Sequence, residues 1–365
     1  MSQLIYFCAG LDSNICPAAN IEAVLINTPD FGDGSKGIEE ARKLRSISNA
    51  KKMMLDSGGF QLLKAEENGL EISCEENEPI KRNNKINLSP MHVIRAAQDI
   101  KPDIFVALDF PIKKIFDPSL QKIEFMRKLG FNITWAIQTS ALRKKYCPEI
   151  ELFIPVQCYN LQQFNLFWER IKGIEFDGFS MPVRNLKVPE IALFLVKFYQ
   201  LGIKKVHLLG TSSFFNIALA AYSANHLFER ISFDATTWRL IAEKECYFNP
   251  HNLSLVNLRE NVRIDGEIMA DCQCVWCHGK SFAYIKNLPY AEKFLFLMCH
   301  NHLAIEKITK EMYKNSCELE KLRHYLLTNS PNQERIKELH QTLAVIEGFK
   351  DEPLDEWKNL LTIKP

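Results

Sequence analysis

The segment Met53-Met54-Leu55-Asp56-Ser57-Gly58-Gly59-Phe60-Gln61 decides how the rest of the chain is read. A short apolar run ends in an acid, a hydroxyl and two glycines. The pattern is that of a buried strand that delivers Asp56 and Ser57 at its carboxyl end and then turns sharply. The glycine pair allows positive φ and removes side-chain bulk, so a ligand can come close to the backbone. An ordinary strand-to-loop turn with a capping Asp or Ser would give the same string, so its meaning depends on its neighbours.

Similar apolar runs recur at 4–8, 23–26, 104–108, 152–156, 178–181, 206–209 and 231–233, making eight candidate strands with 53–55. Most are near-continuous Val/Ile/Leu/Phe runs without alternation, as expected of parallel strands covered on both faces. Helical patterns lie between several of them, at 91–99 after Pro90, at Leu161–Ile171, at 190–200 after Pro189 and at 214–224. This alternation predicts an α/β fold, a (β/α)₈ TIM barrel over residues 1–248. A doubly wound open sheet is the runner-up, weakened because no GxGxxG follows the first strand. Residues 64–88 form a charged interruption, expected as a hairpin excursion over the mouth or a mobile loop. Beyond residue 249 the rhythm stops. Residues 249–365 are expected to form an appended unit, with a cysteine cluster and a helical stretch over 291–349 that Ser330-Pro331-Asn332 splits in two.

The 365 residues carry 45 Lys+Arg against 44 Asp+Glu, a formal charge of +1. A nucleic-acid partner must therefore be met by a local basic face, since the whole molecule is not basic. Candidate contacts are Lys51-Lys52, Lys113-Lys114, Arg143-Lys144-Lys145 and Lys204-Lys205, each of which taken alone reads first as a solvated helix face or loop, with Trp238 and Arg239 near the last strand. No signal-like segment and no bilayer-length apolar stretch is present, so a cytoplasmic protein without a membrane partner is expected. In that setting 11 Cys suggest reduced thiols and a metal site before disulfides.

Three strands end in an aspartate: Asp56, Asp109 and Asp234; a fourth ends in Gln157. In one barrel these ends converge on one mouth, where barrel enzymes place their chemistry. Close carboxylates push their pKa values apart, so one can stay protonated while another is anionic. That division suits cleavage at an anomeric carbon through a covalent glycosyl-enzyme. Asp and Gln also match the donor and acceptor edge of a purine-like base. Separately, Cys272, Cys274 and Cys277 lie within six residues, and zinc would need a fourth ligand. His300 and His302, 23 and 25 residues past Cys277, are the leading choices, ahead of Cys299 and His278.

At these residues the chain resembles the tRNA-guanine transglycosylase family. Asp56-Ser57-Gly58-Gly59-Phe60-Gln61 is similar to its DSGG[FY]Q motif, and Asn27-Thr28 to its GNT element. Leu88-Ser89-Pro90 resembles its LSP segment and Pro155-Val156-Gln157 its IVQG strand, with Cys158 in place of Gly. Leu208-Leu209-Gly210 is similar to YLMG, and Phe233-Asp234 with Arg239 to the FD…R segment. The resemblance continues into the CxCxxC cluster and the His300-Asn301 pair, which favours His300 as the fourth ligand of a closed, structural Zn2+ site.

The resemblance implies that Asp234 is the nucleophile and Asp56 the general acid/base. It implies that Asp109 and Gln157 read the base, with Ser57, Asn27 and Gly210 beside it. The expected reaction exchanges guanine for a 7-deazaguanine in a nucleic acid, tRNA first and DNA as the alternative. A non-catalytic partner subunit is the rival from a different class, and a homodimer or heteromer stays open. An unrelated zinc-bearing barrel hydrolase would instead place its metal among the acids. One departure stands out. The family's GGLAVGE-like loop after the sixth strand is replaced by Asp177-Gly178-Phe179-Ser180-Met181-Pro182-Val183-Arg184, which lacks Gly-Gly and has a proline without an N–H.

Overall fold

The computed structural model describes residues 2–11, 21–28, 34–48, 50–75, 81–82, 85–259, 272–330 and 332–353. Eight parallel strands close into one barrel. They are β1 (Gln3–Ala9), β2 (Ala23–Asn27), β3 (Lys52–Asp56), β4 (Ile104–Val106), β5 (Glu151–Pro155), β6 (Gly178–Pro182), β7 (Lys205–Leu209) and β8 (Arg230–Ala235). They pair in chain order, and β1 closes the ring against β8 through pairs such as Phe7 with Asp234. All eight expected strands form, each within about two residues of its apolar run, and the open-sheet alternative is excluded.

Side chains alternate across each strand, so each strand feeds two cores. Outward residues such as Val24, Leu55, Phe105, Ile154, Phe179, Leu208 and Phe233 pack in the large core shared with the helices. Inward residues Phe7, Leu25, Met54, Val106 and Phe153 make a small apolar plug inside the barrel. On β6, β7 and β8 the corresponding buried residues are Ser180, His207 and Ser232. The barrel interior is therefore apolar on one side and polar on the other. The same alternation places Asn27, Asp56 and Asp234 one step above Leu25, Met54 and Ser232, facing inward at the carboxyl end.

The expected helices form at Pro90–Ile100, Leu161–Ile171, Val188–Gln200 and Phe214–His226. The charged interruption carries the end of the helix Gly59–Glu67 and a small sheet of Glu71–Ser73, Lys81–Arg82 and Lys85–Asn87. The longest barrel helix, Pro118–Tyr146, has no clear signature in the sequence. Its Leu120, Ile123, Met126, Phe131 and Ile137 are exposed while Phe125, Leu129 and Trp135 are buried, so no single apolar stripe marks it. The C-terminal stretch makes three long helices, Tyr290–Asn315, Leu319–Asn329 and Gln333–Phe349, where the sequence predicts two. The additional break is imposed from outside the segment. Asn225 donates to Ser316 Oγ at 2.9 Å and to the Tyr313 carbonyl at 3.0 Å, and His226 Nε2 meets the Ser316 carbonyl at 3.0 Å.

Helix Tyr290–Asn315 packs on Phe214–His226 and Thr237–Glu243, and Gln333–Phe349 packs on Val188–Gln200 and Phe214–His226. No described helix is long and apolar enough to cross a membrane. Most of the basic clusters read from the sequence lie at the amino-terminal end of the barrel, away from the acids. Lys205 and Arg230 bind Glu151, Arg143 binds Asp177 at 3.1 Å, and Lys144 binds Glu175 at 3.1 Å. Lys52 opens β3 at the same end. Of these clusters, Lys113-Lys114 is the one that reaches the mouth.

Candidate active site

Asn27, Asp56, Ser57, Asp109, Gln157, Gly210 and Asp234 all line one cavity of about 730 Å³ at the carboxyl end of the barrel. One wall is mostly apolar, with Leu11, Leu25, Ile26, Ala41, Leu44, Phe60 and Leu63, and carries Glu40. The opposite wall carries Lys113, Lys114, Tyr159, Arg184 and Asn185. Pro182, the last residue of β6, also faces the cavity and offers it no N–H.

Each acid has different partners. Asp109 accepts the Ser57 hydroxyl on Oδ1 at 2.5 Å and the Gln157 amide on Oδ2 at 2.5 Å. Burial raises its pKa, and these two donors pull it back. Asp234 Oδ1 accepts the Gly210 N–H at 2.7 Å and lies 3.3 Å from His207 Nε2. Asp56 has no comparable side-chain donor among the described residues. Burial, then the charges of Asp109 and Asp234, push its carboxyl up to about 7. Asp56 is thus poised to give or take a proton near neutral pH, while Asp234 is oriented by fixed dipoles.

The two glycines of the opening motif have separate duties. Gly58 has φ of 82°, which disfavours a side chain. A Cβ on Gly59 would lie 2.3 Å from Asp109 Oδ1 and 2.6 Å from the Asp109 carbonyl. The second glycine therefore exists to let Asp109 approach, and the Gly59 N–H donates to Ser57 Oγ at 3.0 Å. Ser57 spends its hydroxyl on Asp109.

The loop after β4 is held at every step. Asn132 bonds both the amide and the carbonyl of Phe110, at 2.6 and 3.1 Å. Lys128 Nζ donates to the Pro111 carbonyl at 2.9 Å, and Tyr159 donates to the Ile112 carbonyl. Lys128 is fully buried and pairs with Glu66 and Glu124 at 2.8 and 2.7 Å. This network joins the helix of the Ser57-Gly58-Gly59 turn to helix Pro118–Tyr146, across the loop that carries Asp109.

His207 escaped the reading of the sequence. Its ring is fully buried inside the barrel, edge-on to Phe7 with centroids 5.8 Å apart. Nδ1 lies 2.9 Å from Ser232 Oγ and Nε2 reaches Asp234. The available signal was a polar residue within the apolar run 206–209, three positions before Gly210. Trp238 corrects an expectation in the other direction. It is buried and donates to the carbonyls of Ala9 and Ala235 at 3.0 Å each, so it braces the end of β8 and is closed to nucleotides. Arg239 donates to the Gly10 carbonyl at 2.9 Å.

Cys272, Cys274, Cys277 and His300 place one ligand atom each within 4.8 Å of one another. His300 Nδ1 lies 3.6, 3.5 and 3.1 Å from the three sulfurs, in the range expected around one tetrahedral ion. His300 Nε2 meets the Phe248 carbonyl at 2.8 Å, which fixes the N–H there and frees Nδ1 as the ligand. The donor set fits zinc, with four protein ligands and no open position. His302 is elsewhere: it is buried against Tyr6 and Trp238, and burial depresses its pKa to about 4. None of the four ligands lines the acid cavity. Asn301 links the two regions, accepting the Phe248 N–H at 2.8 Å and donating to the Trp238 carbonyl at 3.3 Å.

Two outcomes follow. The proton that folded Asp56 keeps up to about pH 7 is lost by the unfolded chain near its ordinary 3.8. The folded state therefore loses stability as pH rises between these values, and the loss levels off above them. Asp56→Asn will flatten that part of the plot of melting temperature against pH; an unchanged slope would refute the assignment. Cys274→Ala will lose bound zinc and lower the melting temperature on the order of 10 °C, because a structural metal contributes folding energy directly. Normal zinc content in a well-folded Cys274→Ala protein would remove the metal site.

The family model for queuine tRNA-ribosyltransferase matches residues 11–326, a span that holds every acid, Gln157 and the Cys272/Cys274/Cys277/His300 cluster. No individual curated protein matches the chain. With this match over most of its length, the chain belongs to the queuine tRNA-ribosyltransferase family, the tRNA-guanine transglycosylases.

Proposed function

We propose that this member of the family exchanges guanine for a 7-deazaguanine base in tRNA, through a covalent intermediate on Asp234. The family is one of pentosyltransferases acting on guanine in nucleic acids, which supports the reaction class. The observation that carries the reading is the cavity shared by Asp56, Asp109 and Asp234, in which burial and the two neighbouring carboxylates push Asp56 up to about 7.

In the first displacement the free oxygen of Asp234, Oδ2, attacks C1′ of the target nucleotide. The C1′–N9 bond breaks, its electron pair passes to the base, and Asp56 supplies the proton that the departing guanine takes. The Gly210 amide holds Oδ1 and keeps the carboxylate aimed. In the second displacement Asp56 accepts the N9 proton of the incoming base, the base attacks C1′, and Asp234 leaves as a carboxylate. Two inversions at one carbon give net retention. Asp109 and Gln157 read the base edge, with Ser57 fixing Asp109 and Asn27 beside Asp56 in register. The Cys/His cluster holds Zn2+ as a structural ion that ties helix Tyr290–Asn315 to the segment after β8. On this reading residues 249–365 serve as a brace for the barrel.

The test is incorporation of radiolabelled guanine by the purified protein, with bulk tRNA and duplex DNA offered in parallel. The expected result is label in tRNA, abolished by Asp234→Ala in a protein that still folds and keeps its zinc. Label in DNA alone would move the activity to DNA and tie it to the altered wall at Pro182 and Arg184. No label in either, with zinc bound and the fold intact, would overturn the catalytic reading in favour of a partner subunit.

A further inference from the structure

A second cavity, of about 590 Å³, adjoins the first and shares Arg184 and Gly210 with it. Its walls come from three places: the loop after β6, the turn after β7 that starts helix Phe214–His226, and the terminal helix Gln333–Phe349. Three cations line it, Arg184, Lys187 and Arg335, against one carboxylate, Glu338. Among the described residues none of the three cations is in an ion pair; Arg335 lies over the Phe215 ring at 4.4 Å. The remaining lining is largely hydroxyl and amide, including Ser213 and Asn216. Ser213 gives its helix no side-chain cap, so the first-turn amides add to the positive character of this wall. Arg335 and Glu338 lie beyond the family match, which ends at residue 326.

Arg184 lines both cavities, and the three exposed cations, without an ion pair among the described residues, are free to meet an anionic ligand that reaches from the acid cavity into this one. A nucleotide whose C1′ meets Asp234 carries a phosphodiester on each side of its ribose, and the strand must leave the mouth along one wall. The opposite rim of the acid cavity carries apolar side chains and the Glu40 carboxylate, which disfavours a phosphate there. We infer that the second cavity is a phosphodiester site, in which Arg335 of the terminal helix, with Arg184 and Lys187, clamps the backbone next to the target nucleotide. The inference rests on the polynucleotide reading above and adds to it a place and a residue.

The test is equilibrium binding of fluorescently labelled bulk tRNA and of duplex DNA across a salt series, using the full-length zinc-loaded protein. Wild type is compared with Arg335→Gln, with Arg335→Lys, and with Lys337→Gln, a neighbouring exposed cation outside the cavity. For the polynucleotide that wild type binds, Arg335→Gln is expected to weaken binding about 5- to 10-fold near 0.1 M salt. It should also reduce the slope of log K against log salt by about one. Arg335→Lys should keep the slope, Lys337→Gln should match wild type, and the KM for free guanine should not move. Unchanged affinity in Arg335→Gln, or equal losses in Arg335→Gln and Lys337→Gln, would overturn the clamp while leaving the acid-site chemistry standing. Failure of wild type to bind either polynucleotide would overturn both readings, and loss of exchange with binding intact would overturn the acid-site reading alone.

Discussion

Three carboxylates share one partly desolvated cavity, and everything else about the site follows from how the chain keeps them there. Like charges at close range cannot all persist in a poor solvent. The barrel separates them by giving each a different set of donors. Asp109 is tied at both oxygens by Ser57 and Gln157, and Asp234 is held by a backbone amide with His207 below it. Burial raises both Asp109 and Asp56, and Asp56, which has no side-chain donor among the described residues, is pushed up to about 7. A proton that can come and go at neutral pH is therefore a consequence of the crowding, and the crowding is a consequence of strand register.

That register depends on parts remote from the cavity. The polar half of the barrel interior, Ser180, His207 and Ser232, gives Asp234 a polar floor where an apolar plug would leave it bare. The buried Lys128, with Glu66 and Glu124, fixes the loop behind Asp109 by holding the Pro111 carbonyl. On the far side the Cys/His cluster fixes His300. Asn301 then carries that order through Trp238 to the backbone beside Asp234. A metal outside the chemistry can in this way set the position of a side chain within it.

Much of this was legible in the residue string. Parallel strands buried on both faces write themselves as short apolar runs, and all eight were visible for that reason. The acids were legible because each closes such a run, and the cysteines because zinc needs thiols close together. What stayed hidden depends on contacts distant in sequence. Helix Pro118–Tyr146 mixes buried and exposed apolar residues, so its periodicity is blurred. The break at Ser316 is made by Asn225 and His226, some 90 residues away. His207 reads as a stray polar residue until the closed barrel brings it against Ser232 and Asp234. Trp238, suggestive beside the expected nucleophile, proves to be a brace because its N–H is taken by two carbonyls. Most of the basic clusters sit on solvated surface at the amino-terminal end of the barrel, as charge runs usually do.

The central claim is that Asp234 forms a bond to the ribose. It is tested most directly by quenching the protein during turnover with its polynucleotide substrate in denaturant, digesting both polymers, and mapping the ribosylated residue by peptide mass spectrometry. The account predicts a ribose-derived adduct on Asp234 and on no other acid. An adduct on Asp56 or Asp109, or steady base exchange with no adduct trapped at any carboxylate, would contradict it.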